Sequence, residues 1–155
     1  MQFVPDRDEQ VCLFQAELGR ALDLTPALMT GMLAIAEARG VAPGSRDQAD
    51  RIRNFIRAEA WTDAALALVE FGLPQWKLRC ITYEDGEWFC SLGRRLPLPA
   101  WLDDSVTVTH PVMPLAILTA FVEACAVTSC STQPARTVPS VQPSANGVVC
   151  CDNFF

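Results

Sequence analysis

From Trp76 to Leu92 the chain reads WKLRCITY, then Glu84-Asp85-Gly86, then EWFCSL. Two runs rich in β-branched and aromatic residues, separated by a turn with glycine, specify an antiparallel β-hairpin. Two loops fit the letters. A two-residue Asp-Gly turn pairs Tyr83 with Trp88 and Cys80 with Ser91. A three-residue loop, with Gly86 left-handed in a bulge, pairs Tyr83 with Glu87 and Cys80 with Cys90.

Burial bears on the choice, because a one-residue slip turns a strand over. In the three-residue register one face carries Leu78, Cys80, Thr82, Trp88, Cys90 and Leu92. The other carries Lys77, Arg79, Ile81, Tyr83, Glu87, Phe89 and Ser91. The two-residue register sets Trp88 and Cys90 beside Arg79 and Lys77. The cleaner apolar face favours the three-residue loop. Cys80 and Cys90 then face each other, and two small buried thiols are a commoner reason for such a pair than a disulfide.

Four helices are expected before the hairpin. Asp6 to Leu22 has a stripe of Val11, Phe14, Leu18 and Ala21 or Leu22. Thr25-Pro26 is a helix cap followed by proline at the first helical position, opening a helix that runs to Arg39 and stops at Gly40. Its Leu28, Met29, Met32, Leu33, Ile35 and Ala36 cover most of its circumference, so it is expected to be buried, with the methionines as core filler. Ser45 and Gln48 have capping-box spacing for a third helix with Ile52, Phe55 and Ile56 inward. Arg46, Arg53 and Arg57 lie on its outer face among Asp47 and Asp50, a pattern of solvated ion pairs. Trp61-Thr62-Asp63 marks a break. Thr62 caps a fourth helix, Asp63 to Phe71, ended by Gly72 with Pro74 behind it.

After the hairpin, RRLPLPAWLDD is extended or looped, and Ser105-Val-Thr-Val-Thr109 alternates like a short third strand. Pro111 or Pro114 opens a last helix with Leu115, Leu118, Phe121 or Val122, and Cys125 as its stripe. The hairpin's apolar face and that helix need each other as cover. The expected fold class is therefore α+β: a helical N-terminal half, then an antiparallel β-hairpin covered by a C-terminal helix. From Val127 the composition turns to Ser, Thr, Pro, Gln, Asn and Gly without period. The expected boundaries are a single domain over 1–126 and a disordered tail over 127–155.

The net charge is −6, and the tail's Arg136 and Asp152 cancel, so the excess acid lies in the folded part. Such a domain repels phosphate backbones and anionic membranes. A winged-helix reading fails on the same ground. The helix before the hairpin, DAALALVEF, has no basic side chain, and the hairpin tip is Glu84-Asp85-Gly86-Glu87. The longest apolar stretch, Leu115 to Val122, is too short for a bilayer, and MQFVPDRDEQ has no signal-peptide pattern. Seven scattered cysteines without a Cys-x-x-Cys motif suit a reducing compartment and make a poor zinc site. The expected location is cytoplasmic.

Trp61-Thr-Asp-Ala-Ala-Leu66, Leu73-Pro-Gln-Trp76, Asp85-Gly-Glu-Trp88 and Leu118-Thr-Ala-Phe-Val-Glu-Ala124, taken as a series, resemble a group of short uncharacterised bacterial proteins of unknown function. The resemblance covers roughly residues 61–124 and implies no activity, cofactor or catalytic residue. It implies a chain that ends soon after the last helix in a few basic residues, whereas this one continues into its polar, cysteine-bearing tail.

Candidate chemistry is sparse. His110 is the only histidine and follows Asp103 and Asp104 at a distance of a short strand. A histidine beside a proline at a helix start more often caps than catalyses. Adjacent acids before a strand are more often a turn than a metal site. Trp101 is one of four tryptophans between residues 61 and 101 and sits beside a loop, as interface anchors do. The expected function is a small non-catalytic binding or protein-interaction domain, with Trp101, Asp103, Asp104 and His110 as binding residues. The expected partner is a protein or a second copy of the chain, with no nucleic acid, membrane, cofactor or metal. The alternative is a small enzyme with a loop site around Asp103, Asp104 and His110.

Overall fold

Thr25 sits in an extended conformation, and its hydroxyl accepts a hydrogen bond from the Leu28 amide at 3.2 Å, with Pro26 opening the helix behind it. The sequence signal for a helix start is here met atom for atom. The computed structural model describes residues 7–39, 44–95 and 104–131. Within them lie α1 (Arg7–Arg20), α2 (Pro26–Ala38), α3 (Ser45–Arg57), α4 (Trp61–Gly72), β1 (Trp76–Glu84), β2 (Glu87–Arg94), β3 (Ser105–His110) and α5 (Met113–Ser131). The fold is α+β, and the three strands form one antiparallel sheet in the order β1-β2-β3. The expected third strand is present.

All six residues expected inside α2 are buried. In α1, Val11 and Leu18 are buried, and Phe14 and Ala21 pack partly against the core. The helix ends at Arg20, so Leu22 leaves the stripe and is 74 % exposed. In α3, Ile52 and Ile56 are buried while Phe55 is only partly so. Arg53 bridges Asp50 on its own helix and Glu37 on α2, at 2.9 and 2.6 Å.

Two caps differ from expectation. The N-cap of α3 is Gly44, at φ 98°, and Ser45 is the first helical residue, so the Ser45–Gln48 capping box does not form. The start of α4 is Trp61, one residue before Thr62, with no side-chain cap. The reason lies upstream. Glu59 takes the left-handed conformation at φ 55°, and the amides of Glu59 and Ala60 close onto the carbonyls of Ile56 and Phe55 at 3.1 and 2.9 Å. This Schellman-type ending of α3 turns the chain before Trp61 and leaves Thr62 inside the next helix.

The hairpin uses both registers. Asp85 and Gly86 have φ of 52° and 88°, the type I′ turn, and Tyr83 pairs with Trp88. The three-residue loop expected above is therefore incorrect at the tip. Between Leu78 and Cys80 the register shifts at a β-bulge around Arg79, and from there Leu78 pairs with Leu92 and Trp76 with Arg94. Those last pairs belong to the three-residue register. Strong I′ preference of Asp-Gly decides the turn, burial decides the far end, and one extra residue reconciles them. The Arg79 guanidinium lies over Gly93, where a side chain would collide with it. As a result Ile81, not Cys80, lies opposite Cys90, and Cys80 is exposed on the other face.

The last helix joins the parts. It packs against β2 and β3 on one side and against α1 and α4 on the other, while α2 packs on α3 and α4. Leu115, Ala116, Ile117, Leu118, Ala120, Phe121, Val122, Ala124 and Cys125 are all at most 1 % exposed, so the helix is buried around its circumference and not along one stripe. Its hydroxyls are satisfied within the helix: Thr119, Thr128 and Ser129 donate to the carbonyls four residues back at 2.7, 2.8 and 3.1 Å. Its one charged residue, Glu123, accepts from Gln15 of α1 at 3.1 Å. The helix continues five residues past the expected boundary at Ala126. Residues 132–155, expected to be disordered, lie outside the described residues.

Gly72 has a different job from the one its position suggests. It is not left-handed, and a β-carbon there would press on the Phe121 ring and the Ala36 side chain at 2.7 and 3.0 Å. The residue lets α4 close on α2 and α5. Helix propensity alone favours alanine there by about 1 kcal/mol. Close packing reverses the sign: Gly72→Ala should destabilise the protein by about 1–3 kcal/mol in a urea melt. A stabilised variant would contradict the packing of Phe121 on Gly72.

Candidate functional site

Of the four residues singled out in the sequence, the two that are described, Asp104 and His110, do not come together. Trp101 and Asp103 lie outside the described residues. Asp104 immediately precedes β3 and forms an ion pair with Arg94 Nη2 at 3.1 Å. His110 ends the same strand, so the two are separated by roughly 20 Å of extended chain. His110 is buried at 8 % exposure, and its Nδ1 accepts the Val112 amide at 3.0 Å. That bond leaves the ring proton on Nε2 and caps the entry to α5, the structural role that its place before a proline implies.

Cys90 is the nearest nucleophile to consider. It pairs with Val108 on the core face that also bears His110. Burial, and secondarily the charge of Cys80, pushes its thiol up from 9.0 to about 11. Burial likewise raises Cys125 to about 11, with Arg39 acting the other way. A nucleophilic cysteine needs the opposite shift. Among the described residues no cluster of His, Cys, Asp and Glu could hold a metal ion.

Two concave sites among the described residues bear on function. The larger, about 420 Å³, lies between α2, α3 and the end of α4 and is lined by Glu37, Ser45, Arg46, Asp50, Arg53 and Phe71 among others. Its charges answer one another, with Arg53 shared by two carboxylates. The smaller, about 240 Å³, is lined by Arg39, Gly72, Leu73, Pro74, Gln75, Trp76, Arg94 and Thr128. Its lining sets Arg39, which has no ion pair among the described residues, beside Arg94, which is paired with Asp104.

Each wall of this groove follows from local structure. Leu73 caps α4, and the Trp76 amide donates to its carbonyl at 2.9 Å, so Pro74 and Gln75 form a tight turn into β1. Trp76 is 2 % exposed, and its indole N–H donates to Thr128 Oγ1 at 3.2 Å, while that hydroxyl donates to the Ala124 carbonyl. The start of the sheet is thereby tied to the end of α5. Arg94, paired across the ladder with Trp76, stacks its guanidinium 5.7 Å from the indole ring centre. The Arg94 Nε is buried without a hydrogen-bond partner. Arg39 caps the C-terminus of α2, where its charge also complements the helix dipole, an effect of about 0.3–1 kcal/mol. The neighbouring Arg95 is structural: its Nε donates to the Trp76 carbonyl at 3.2 Å and its amide to Gln75 at 2.8 Å.

Sequence reading missed this groove because its residues come from five separate elements, the ends of α2, α4, β1, β2 and α5. No protein-family model, curated protein or solved structure matches the chain. No described helix is long and apolar enough to cross a membrane.

The thiol environments give a direct check. Iodoacetamide at about pH 8 should alkylate Cys12 and Cys80, which are exposed, and spare Cys90 and Cys125 until the protein is unfolded. Because the folded thiols hold their protons more tightly than unfolded ones, stability should fall as pH rises from 9.0 toward 11. Peptide mapping that finds Cys90 modified as fast as Cys80 would contradict the hairpin register.

Proposed function

We propose that the chain is a small cytoplasmic binding domain without catalysis, and that the groove between α4, β1 and the end of α5 is its contact site. The observation that carries the reading is the pairing of a buried tryptophan with two arginines in a concavity lined by no acid among the described residues, in a chain of net charge −6. A few convergent polar groups against an apolar wall are the usual composition of a ligand site. The reading gains support from the separation of Asp104 and His110 and from the raised Cys90 thiol, which remove the most plausible catalytic groupings. The exposed acids Glu84, Asp85 and Glu87 at the hairpin tip weigh against a nucleic-acid partner. Scattered cysteines without a disulfide pattern suit the cytoplasm.

A fragment library of mixed charge, screened by amide chemical-shift changes on the full chain, tests the site. Binders should cluster on Gly72, Leu73, Gln75 and Trp76. Binders that leave those amides unmoved and gather instead at the cleft around Arg53 would contradict the assignment.

A further inference from the structure

We infer that the groove recognises a monoanionic carboxylate carried on a small apolar body, such as an aromatic or branched aliphatic acid; the inference rests on the reading of the groove as the binding site. The charge balance is the first argument. The chain carries 18 acids against 12 bases, yet among the described residues the groove lining has two arginines and no acid. Arg39 makes no ion pair among the described residues. Among the described residues Arg94 has a single counter-ion, Asp104, which engages Nη2 at 3.1 Å. Two guanidinium groups with one carboxylate leave one formal positive charge. That balance suits a monoanion better than a phosphate dianion.

Geometry gives the second argument. A guanidinium is a planar fork that matches a carboxylate; Arg94 has its Nε sealed and its Nη2 against Asp104, so the fork without a counter-ion among the described residues is that of Arg39. Two further polar groups of the lining are occupied. The Trp76 indole N–H is committed to Thr128, and the Thr128 hydroxyl proton to Ala124. Trp76 and Leu73, each 2 % exposed, form the floor, and the open apolar surface is that of Pro74. Recognition of charge falls to the two arginines, with the exposed Gln75 beside them. Size is the third argument. A volume of about 240 Å³ lies below the roughly 300–1,000 Å³ of sites for drug-sized ligands, so the body is about one ring or one branched chain.

The test uses the full chain and three matched probes: phenylacetate, neutral phenylacetamide and phenyl phosphate. Phenylacetate should move the amides of Gly72, Leu73, Gln75 and Trp76 with a Kd below about 1 mM. Phenylacetamide should bind about tenfold more weakly, and phenyl phosphate no better than phenylacetate. Arg39→Gln should weaken phenylacetate about tenfold. Asp104→Asn removes the competing carboxylate on Arg94 and should tighten it severalfold, a gain that no folding defect can imitate. Equal binding of the acid and the amide in the groove would overturn the carboxylate while leaving the groove as the site. Tighter binding of phenyl phosphate would overturn the monoanion. If none of the three moves those amides, the carboxylate inference is overturned. The groove reading then falls only if the mixed library also leaves them unmoved.

Discussion

The last helix has no face to give to water, and this single constraint arranges the remaining elements. Leu115, Ile117, Leu118, Phe121 and Val122 cover nearly half the circumference, buried alanines at 116, 120 and 124 extend that surface, and each of the five large side chains is worth about 1.5–3 kcal/mol when removed from water. One layer cannot cover such a helix. It needs the sheet on one side and helices on the other, and it meets β2 and β3, then α1 and α4. Small residues set the approach distances: Gly72 and Ala36 make room for the Phe121 ring. The backbone hydroxyl bonds of Thr119, Thr128 and Ser129 keep polar atoms from breaking that apolar surface.

The groove is a by-product of the same packing. Where α5 ends, Thr128 receives the Trp76 indole N–H, and the start of β1 is fixed against the end of the helix. The α4–β1 turn and the last residue of β2 then close a concavity around the ring. Arginines on its rim complete a site that is cationic in an acidic protein. The fold therefore positions the groove through the tryptophan, and any rearrangement of α5 would move its floor.

Much of the architecture is legible in the letters. Thr25-Pro26 announces α2, and the six apolar positions that follow identify its buried surface. Hydrophobic patterning also gives the order of elements and the third strand. The hairpin explains where legibility ends. Asp85-Gly86 encodes a type I′ turn, while Trp76, Leu78 and Leu92 encode a core face one residue out of step. A single register cannot satisfy both, and the bulge at Arg79 that resolves them has no strong sequence mark. Ser45 and Thr62 fail as caps because neighbouring backbone geometry, at Gly44 and Glu59, already ends the turn. The site was less legible still. Arg39, Trp76, Arg94 and Thr128 are far apart in sequence and share no spacing, whereas Asp103, Asp104 and His110 look like a cluster and are divided by a strand.

Native-state amide hydrogen exchange tests the central role of α5 most directly, because local opening energies span from fraying ends to the global stability. If the helix is the common support of both layers, the amides of residues 117–125 can exchange only when the whole protein unfolds. Their exchange should carry the full denaturant dependence of global unfolding, while the amides of α1 and of the hairpin tip exchange through smaller openings. Amides of α5 that exchange more readily than those of α2 or β2 would mean that the layers hold without it, and would contradict the account.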